Sequence, residues 1–422
     1  MTAAAPPRVL VIAPFTHQNG HFVTFPRDVC CGLVAAGCEV TLVHTRPFAA
    51  ELDWFGHSIV RICLKDLVSN SPRWWREVWS RLAGRPSNQC LAWVIWRLRP
   101  KDFDLVLWTD FQAQINLWPL AIARGLGLYR FKSAFFEHHP PESPRRRRVG
   151  GLVRARIRVS GVPMFVFSKD HRDAWRRHLG SSAHIEYVPY GVWPSSASQA
   201  ARLKARQDLD LPSDARIVLV FGVQAVRRKN LDTLTEALRG FLSTKPVVTL
   251  FVGKTIGADA HPMSQWNEPR PVVRVDNRFV TEEEAATYFA ACDAVWANYR
   301  SFPGASGVLL QAMGRGRLVI GCADGEIGDL SRTHSLGLIV GGPSLGAVRS
   351  ALSELVDMPI GDQLQWETRI AEVGRAYSWP SVMGRLLRRM RLSAEVGDDE
   401  ALASESTSGD RHARPLNTRD NH

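Results

Sequence analysis

Short β-branched runs alternate along the chain with stretches whose apolar positions recur every three or four residues. In the first half "RVLVIA" (8–13), "EVTLVH" (39–44), "DLVLW" (104–108), "SAFFEH" (133–138) and "PMFVF" (163–167) have the near-continuous apolar character of buried parallel strands. In the second half "RIVLVFG" (216–222), "VVTLFVG" (247–253), "DAVWAN" (293–298) and "RLVIG" (317–321) repeat the scheme. Between them "WPSSASQAARLKARQDLDLPSDA" (193–215) is polar and flanked by proline, which predicts a linker carrying a short helix. Two doubly wound α/β domains facing each other follow, over 1–195 and 196–390, with a last helix near 378–391 expected to pack back on the first. Sheets of this kind bind ligands outside the carboxyl ends of their strands. Residues 397–422 are polar, with almost no large apolar side chain, and are expected to be disordered.

A length of 422 residues fits two or three domains at ~150 residues each. The seven cysteines show no metal-ligand spacing and no disulfide framework, so a reducing cytoplasm is expected. The opening "MTAAAPPRVLVIAPF" has no basic leader and reads as a first strand. No window reaches the ~20 apolar residues of a membrane span. Charge is uneven: residues 1–200 hold 26 Lys+Arg against 14 Asp+Glu, and the remainder 27 against 27. The formal charge of +12 therefore lies in the first half, which calls for an anionic partner there.

In "FGVQAVRRKNLDTLTEALRGF" (221–241) a strand end and Gly222 precede Arg227, Arg228 and Lys229, directly before an amphipathic helix. Adjacent cations repel one another. Near a helix N-terminus, whose free N–H groups already favour phosphate, Arg228 and Lys229 suit a diphosphate. Farther on, Gly304, Ala305, Ser306 and Gly307 precede the helical run "VLLQAM", so that a phosphate or sugar could approach the backbone there. A solvated loop and a structural βα turn are the plain alternatives for the two features taken singly.

Taken in order, these pieces resemble the retaining nucleotide-sugar glycosyltransferases of family 4, which share the two-domain GT-B fold. The resemblance runs through Gly222, "RRKNLDTLTEAL", "LFVG", "RFVTEEEAATYFAACDAV", "GASGVLLQAMGRGRLVIG" and "AYSWPSVMGRLL". More loosely, "FTHQNGHFVTFPRDVCCGLVAAGCEVTLVH", "AFFEHHPPES", "VFSKDHRDAW" and "YVPYGVWP" extend it to residues 8–390. The resemblance implies that Arg228 and Lys229 neutralise a donor diphosphate, with Gly20 and Gly222 close to the same phosphates. It implies that Ser306 and Gly307 offer backbone N–H groups, that Arg278 and Phe279 help hold the donor, and that His138 touches the transferred sugar. His139 competes for that role. The family's paired glutamates fall here on Pro303 and Gln311. An amide at 311 holds ribose hydroxyls more weakly than a carboxylate does, and Pro303 accepts no such bond.

The expected activity is transfer of a hexosyl unit, with retention, from a UDP- or GDP-type sugar to a lipid-linked or polysaccharide-pathway acceptor. No cofactor is expected, and metal independence follows if the cationic turn does what Mg²⁺ would do. An inverting transferase of the same fold would need a base such as Asp110 or His21. A sugar-nucleotide epimerase would not need the basic half, and a catalytically silent partner protein is the rival from another class. In "SPRWWREVWSRLAGR" (71–85) Trp74, Trp75, Val78, Trp79 and Leu82 share a helical face opposite Arg73 and Arg76, the pattern of an interfacial helix. "RRRRVGGLVRARIRV" (145–159) adds seven arginines. Peripheral contact with the inner membrane face is expected through both segments. Packing of the tryptophans on the domain is the alternative for the first, and no nucleic-acid recognition motif is present.

Overall fold

The computed structural model describes most of residues 5–392. Outside the description lie 1–4, 15–20, 45–58, 65–71, 75, 78–85, 100, 111–119, 121, 139–140, 142–161, 181–182, 196–197, 240, 242–245, 257–262, 264–265, 267–271, 301, 303, 305, 343 and 393–422, with the side chains of 21–23 and 86–88. The segments 78–85 and 145–159, the tail, and Gly20, His139 and Pro303 fall among these.

The first sheet holds β1 (Arg8–Ala13), β2 (Glu39–His44), β3 (Val60–Cys63), β4 (Leu105–Trp108), β5 (Ser133–Glu137), β6 (Met164–Val166) and β7 (Ile185–Tyr187). Its order is β3-β2-β1-β4-β5-β6-β7, and every pairing is parallel. The second holds β8 (Arg216–Phe221), β9 (Val247–Val252), β10 (Val272–Asp276), β11 (Ala294–Ala297), β12 (Leu318–Cys322) and β13 (Gly337–Val340). Its order, β10-β9-β8-β11-β12-β13, is again all parallel. The order reverses between β1 and β4 in one sheet and between β8 and β11 in the other. Each reversal opens a crevice at the strand carboxyl ends, so topology alone fixes where ligands enter.

Central strands are fully apolar because helices cover both faces. In β8 and β9 all twelve residues are buried, and they carry one contiguous core with Leu231, Leu234, Phe289, Leu309 and Met313. The first domain has a core on each face of its sheet. One of them is completed by the last helix, Trp379–Arg389, whose Trp379, Val382, Met383, Leu386 and Leu387 pack with Phe25, Val29 and Leu33. Close approach there requires glycine: a Cβ on Gly191 would stand 2.3 Å from the Trp379 ring, and one on Gly32 3.0 Å from Trp379 and Met383.

The linker helix Gln199–Asp208 is held to the second domain by buried ions as well as by Ala205, which joins the apolar core. Asp293 accepts from Arg206 Nη2 at 2.8 Å, from the Ile217 N–H at 2.7 Å and from Gln363 Nε2 at 3.0 Å. Glu367 pairs with Arg202 and, at 3.4 Å, with Arg317.

Candidate functional site

The site in the second domain grows from the ends of β8, β9 and β11. Gly222 follows β8 with φ +79°, a left-handed turn that favours glycine, and Gly253 follows β9 with φ +131°. A Cβ on Gly253 would lie 2.2 Å from the Gly222 carbonyl oxygen, so the two turns are pressed together. The chain then makes the basic turn. Arg228 is exposed, with its guanidinium 5.7 Å from the Phe302 ring centroid. Lys229 is only 3% exposed, and its ammonium donates to the Phe221 carbonyl. Trp296 Nε1 donates to the Lys229 carbonyl at 2.8 Å, and the Arg300 N–H to that of Arg228 at 2.8 Å, which fastens the turn to the end of β11. Burial, aided by the neighbouring charge of Arg228, lowers the Lys229 pKa to about 7.

Ser306 caps the helix Gly307–Gly314, its Oγ accepting the Leu309 N–H at 3.3 Å, and open space lies where a Gly307 side chain would be. Gln311 lies half-buried one turn on, on the same face as Gly307. Val308 Cγ2 stands 3.7 Å from the Cβ position of Gly222, so the small-residue turn and the basic turn adjoin. Phe279 is 74% exposed beyond β10. Arg278 is engaged by Glu284 at 2.7 Å and Asp276 at 3.0 Å, and these contacts raise its pKa.

In the first domain His138 and Asp110 come together where β5 and β4 end. His138 Nε2 lies 2.9 Å from the Thr109 carbonyl, which only accepts, so Nε2 carries a proton. Phe25 meets the imidazole edge-on at 4.6 Å, and the Phe167 ring lies tilted against it at 5.0 Å. Asp110 is buried. The side chain of His21 lies outside the described residues.

Sequence reasoning does not single out the groups that join the domains. Arg27 donates to Glu282 at 2.9 and 3.1 Å and to Asp28 at 2.9 Å, while Trp193 Nε1 donates to Asp28 at 3.1 Å. Burial pushes the Asp28 carboxyl up to about 6 against the pull of Arg27. The Tyr187 hydroxyl donates to Glu326 at 3.0 Å, and burial pushes Glu326 up to about 7. The signal for Glu326 was a Gly-Glu pair at a strand-to-helix turn, in "GCADGEIGDL". Among the described residues no three His, Cys, Asp or Glu side chains stand together to hold a metal ion.

Two parallel doubly wound domains with a crevice between them make this chain a protein of GT-B fold, the fold of many glycosyltransferases. Among solved structures it is similar to sucrose-phosphate synthase from Thermosynechococcus elongatus, at 17% identity over 92% of this chain and 100% of that one, TM-score 0.59. Anabaena HepE in complex with UDP-glucose is similar at 13% identity over 91% and 99%, TM-score 0.59. The UDP-forming α,α-trehalose-phosphate synthase from Burkholderia vietnamiensis is similar at 13% identity over 92% and 100%, TM-score 0.58. No protein-family model matches the chain, and no curated protein matches it in sequence.

Proposed function

We propose that the chain is a hexosyltransferase that takes its sugar from a nucleoside diphosphate, UDP or GDP, and passes it with retention to an acceptor held by the first domain. The observation that carries this reading is the basic turn: two cations and two left-handed glycine turns meet at the switch point of the second sheet. Loss of a diphosphate leaving group builds negative charge, and fixed cations in a water-poor crevice stabilise such charge. In this role Arg228 and Lys229 need no metal ion beside them. Phe279 offers a face for a base, Gln311 hydroxyl-bonding groups for ribose, and His138 a polar edge for the sugar. The solved structures named above support the donor class, since two of their descriptions name UDP or UDP-glucose.

A panel of UDP- and GDP-sugars scored by thermal shift, then by donor hydrolysis and transfer in the presence of membranes, tests the reading. Binding without turnover would favour the silent-partner alternative, which Pro303 and Gln311 at the family's glutamate positions motivate. Gln311→Glu is expected to tighten nucleotide binding several-fold, because a carboxylate accepts hydroxyl bonds about twice as strongly as an amide. Weaker binding by the folded variant would place the ribose elsewhere.

The acceptor is proposed to be lipid-linked, with the first domain resting on an anionic cytoplasmic membrane face. Trp74 is 53% exposed and meets the exposed Trp96 edge-on at 6.1 Å, and Arg97 lies 5.0 Å from the Trp96 ring, an apolar and cationic patch. No helix among the described residues is long and apolar enough to cross a membrane. Sedimentation with anionic vesicles at low salt, lost as salt rises or on Trp74→Glu with Trp96→Glu, is the expected result. A wild type indifferent to such vesicles would favour a soluble acceptor.

A further inference from the structure

The ammonium of Lys229 is placed unlike an ordinary surface cation. It is buried beneath the turn, its hydrogen bond goes to the neutral Phe221 carbonyl, and among the described residues no group around it brings a compensating negative charge. From its own turn the facing charge is that of Arg228, which repels it. From the end of β11 it meets the Tyr299 ring at 5.8 Å, and burial pushes that phenol up to about 12, so it stays neutral. Arg300, from the same segment, is held at 3.0 Å by Asp232, an acidic side chain in the first turn of the following helix. From the helix Gly307–Gly314, Val308, which carries no charge, and Lys229 Nζ each stand 3.7 Å from the Cβ position of Gly222. A charge buried among neutral and like-charged groups is costly, and for an amine shedding a proton relieves that cost.

We propose that a proton is a co-ligand of the nucleotide at this site: the empty protein holds Lys229 largely as the neutral amine above neutral pH, and the arriving diphosphate draws one proton onto Nζ. The inference rests on the donor reading above. The proton comes from solvent and goes back to it when the nucleoside diphosphate leaves, so each turnover takes up and releases one. The charge on Lys229 then appears only when an anion is present to use it, and the empty crevice carries less self-repulsion beside Arg228. The bound state holds the proton more tightly than the free state. Donor affinity is therefore complete below the free-state pKa of about 7 and falls as pH rises above it.

Calorimetry of the full chain with UDP-glucose and, separately, GDP-mannose tests this, because neither diphosphate has a group of its own that titrates near neutral pH. Binding heats at about pH 8 are compared in HEPES and Tris, whose ionisation enthalpies differ. The expected result is an uptake approaching one proton per nucleotide at about pH 8, little at about pH 6, and a Kd about tenfold weaker at pH 9 than at pH 8. Lys229→Arg, which stays charged at every such pH, is expected to bind with no uptake. Binding by the wild type with heats independent of buffer and a flat pH profile overturns the proposal and leaves the donor reading intact. Undiminished uptake in the arginine variant also overturns it by placing the proton elsewhere. Should that variant fail to bind, the wild-type pH profile decides. Absence of binding with either nucleotide sugar overturns the donor reading itself.

Discussion

Changing Arg228 to alanine and Lys229 to methionine together is expected to weaken nucleotide-sugar binding by roughly a hundredfold to ten-thousandfold and to leave the folded state as stable as before, or more so. Each side chain would give the diphosphate a charge-assisted hydrogen bond worth about 1.5–3 kcal/mol, and every ~1.4 kcal/mol is tenfold in Kd. The two residues stand differently toward stability. Arg228 is exposed, and its removal affects the fold little. Lys229 is buried, so methionine is the informative replacement: it fills the space of the stem and removes a buried amine that has no counterion among the described residues. Calorimetry with UDP- and GDP-sugars reads the first effect and the thermal midpoint reads the second. Unchanged affinity in a folded double variant would remove the turn from the donor site.

Asp293→Ala is expected to destabilise the second domain by about 3–5 kcal/mol, the range for breaking a buried ion pair from one side. Asp293 is buried and receives Arg206, the Ile217 N–H and Gln363 together, with Arg202 at 4.0 Å. Without it, Arg206 keeps its charge in the interior and loses the carboxylate that compensates it, while Arg202 is left with Glu367 alone. The linker helix Gln199–Asp208 carries both arginines, so the damage reaches the element that joins the domains. Adding Arg206→Met is expected to restore part of the loss, since it removes a charge left unmatched. A denaturation midpoint that hardly moves in the single variant would mean that buried water or Glu367 compensates the arginines instead.

The sequence made the centre of each sheet legible and hid its edges. Every strand expected from an apolar run is found, while β3, β7, β10 and β13 were not foreseen, and these four are the outermost strands of the two sheets. Edge strands are short and partly exposed, and in "VRIC" and "VVRVD" a charged residue interrupts the apolar run, whereas "GLIV" is apolar but only four residues long. The short helix after Ser198 and the helices after the basic and small-residue turns were legible because helical periodicity is a local feature. Contacts between distant segments were not. Nothing in "VRRKN" separates Arg228, which lies open, from Lys229, which is buried, because that difference is made by Trp296 and Tyr299 some seventy residues later. The partnership of Arg27 with Glu282, and that of Tyr187 with Glu326, likewise link segments far apart in the chain.

The last helix has a bearing on how the molecule comes into being. Phe25, Val29 and Leu33 are synthesised well before the surface that covers them, Trp379 to Leu387. The first domain therefore leaves the ribosome with one greasy face uncovered and keeps it so until the second domain has been made. Gly32 and Gly191 leave the space that Trp379 fills once it is made. A growing chain in that state exposes apolar surface of the kind that invites aggregation, and a nonsense mutation anywhere before residue 379 would leave the exposed face permanent.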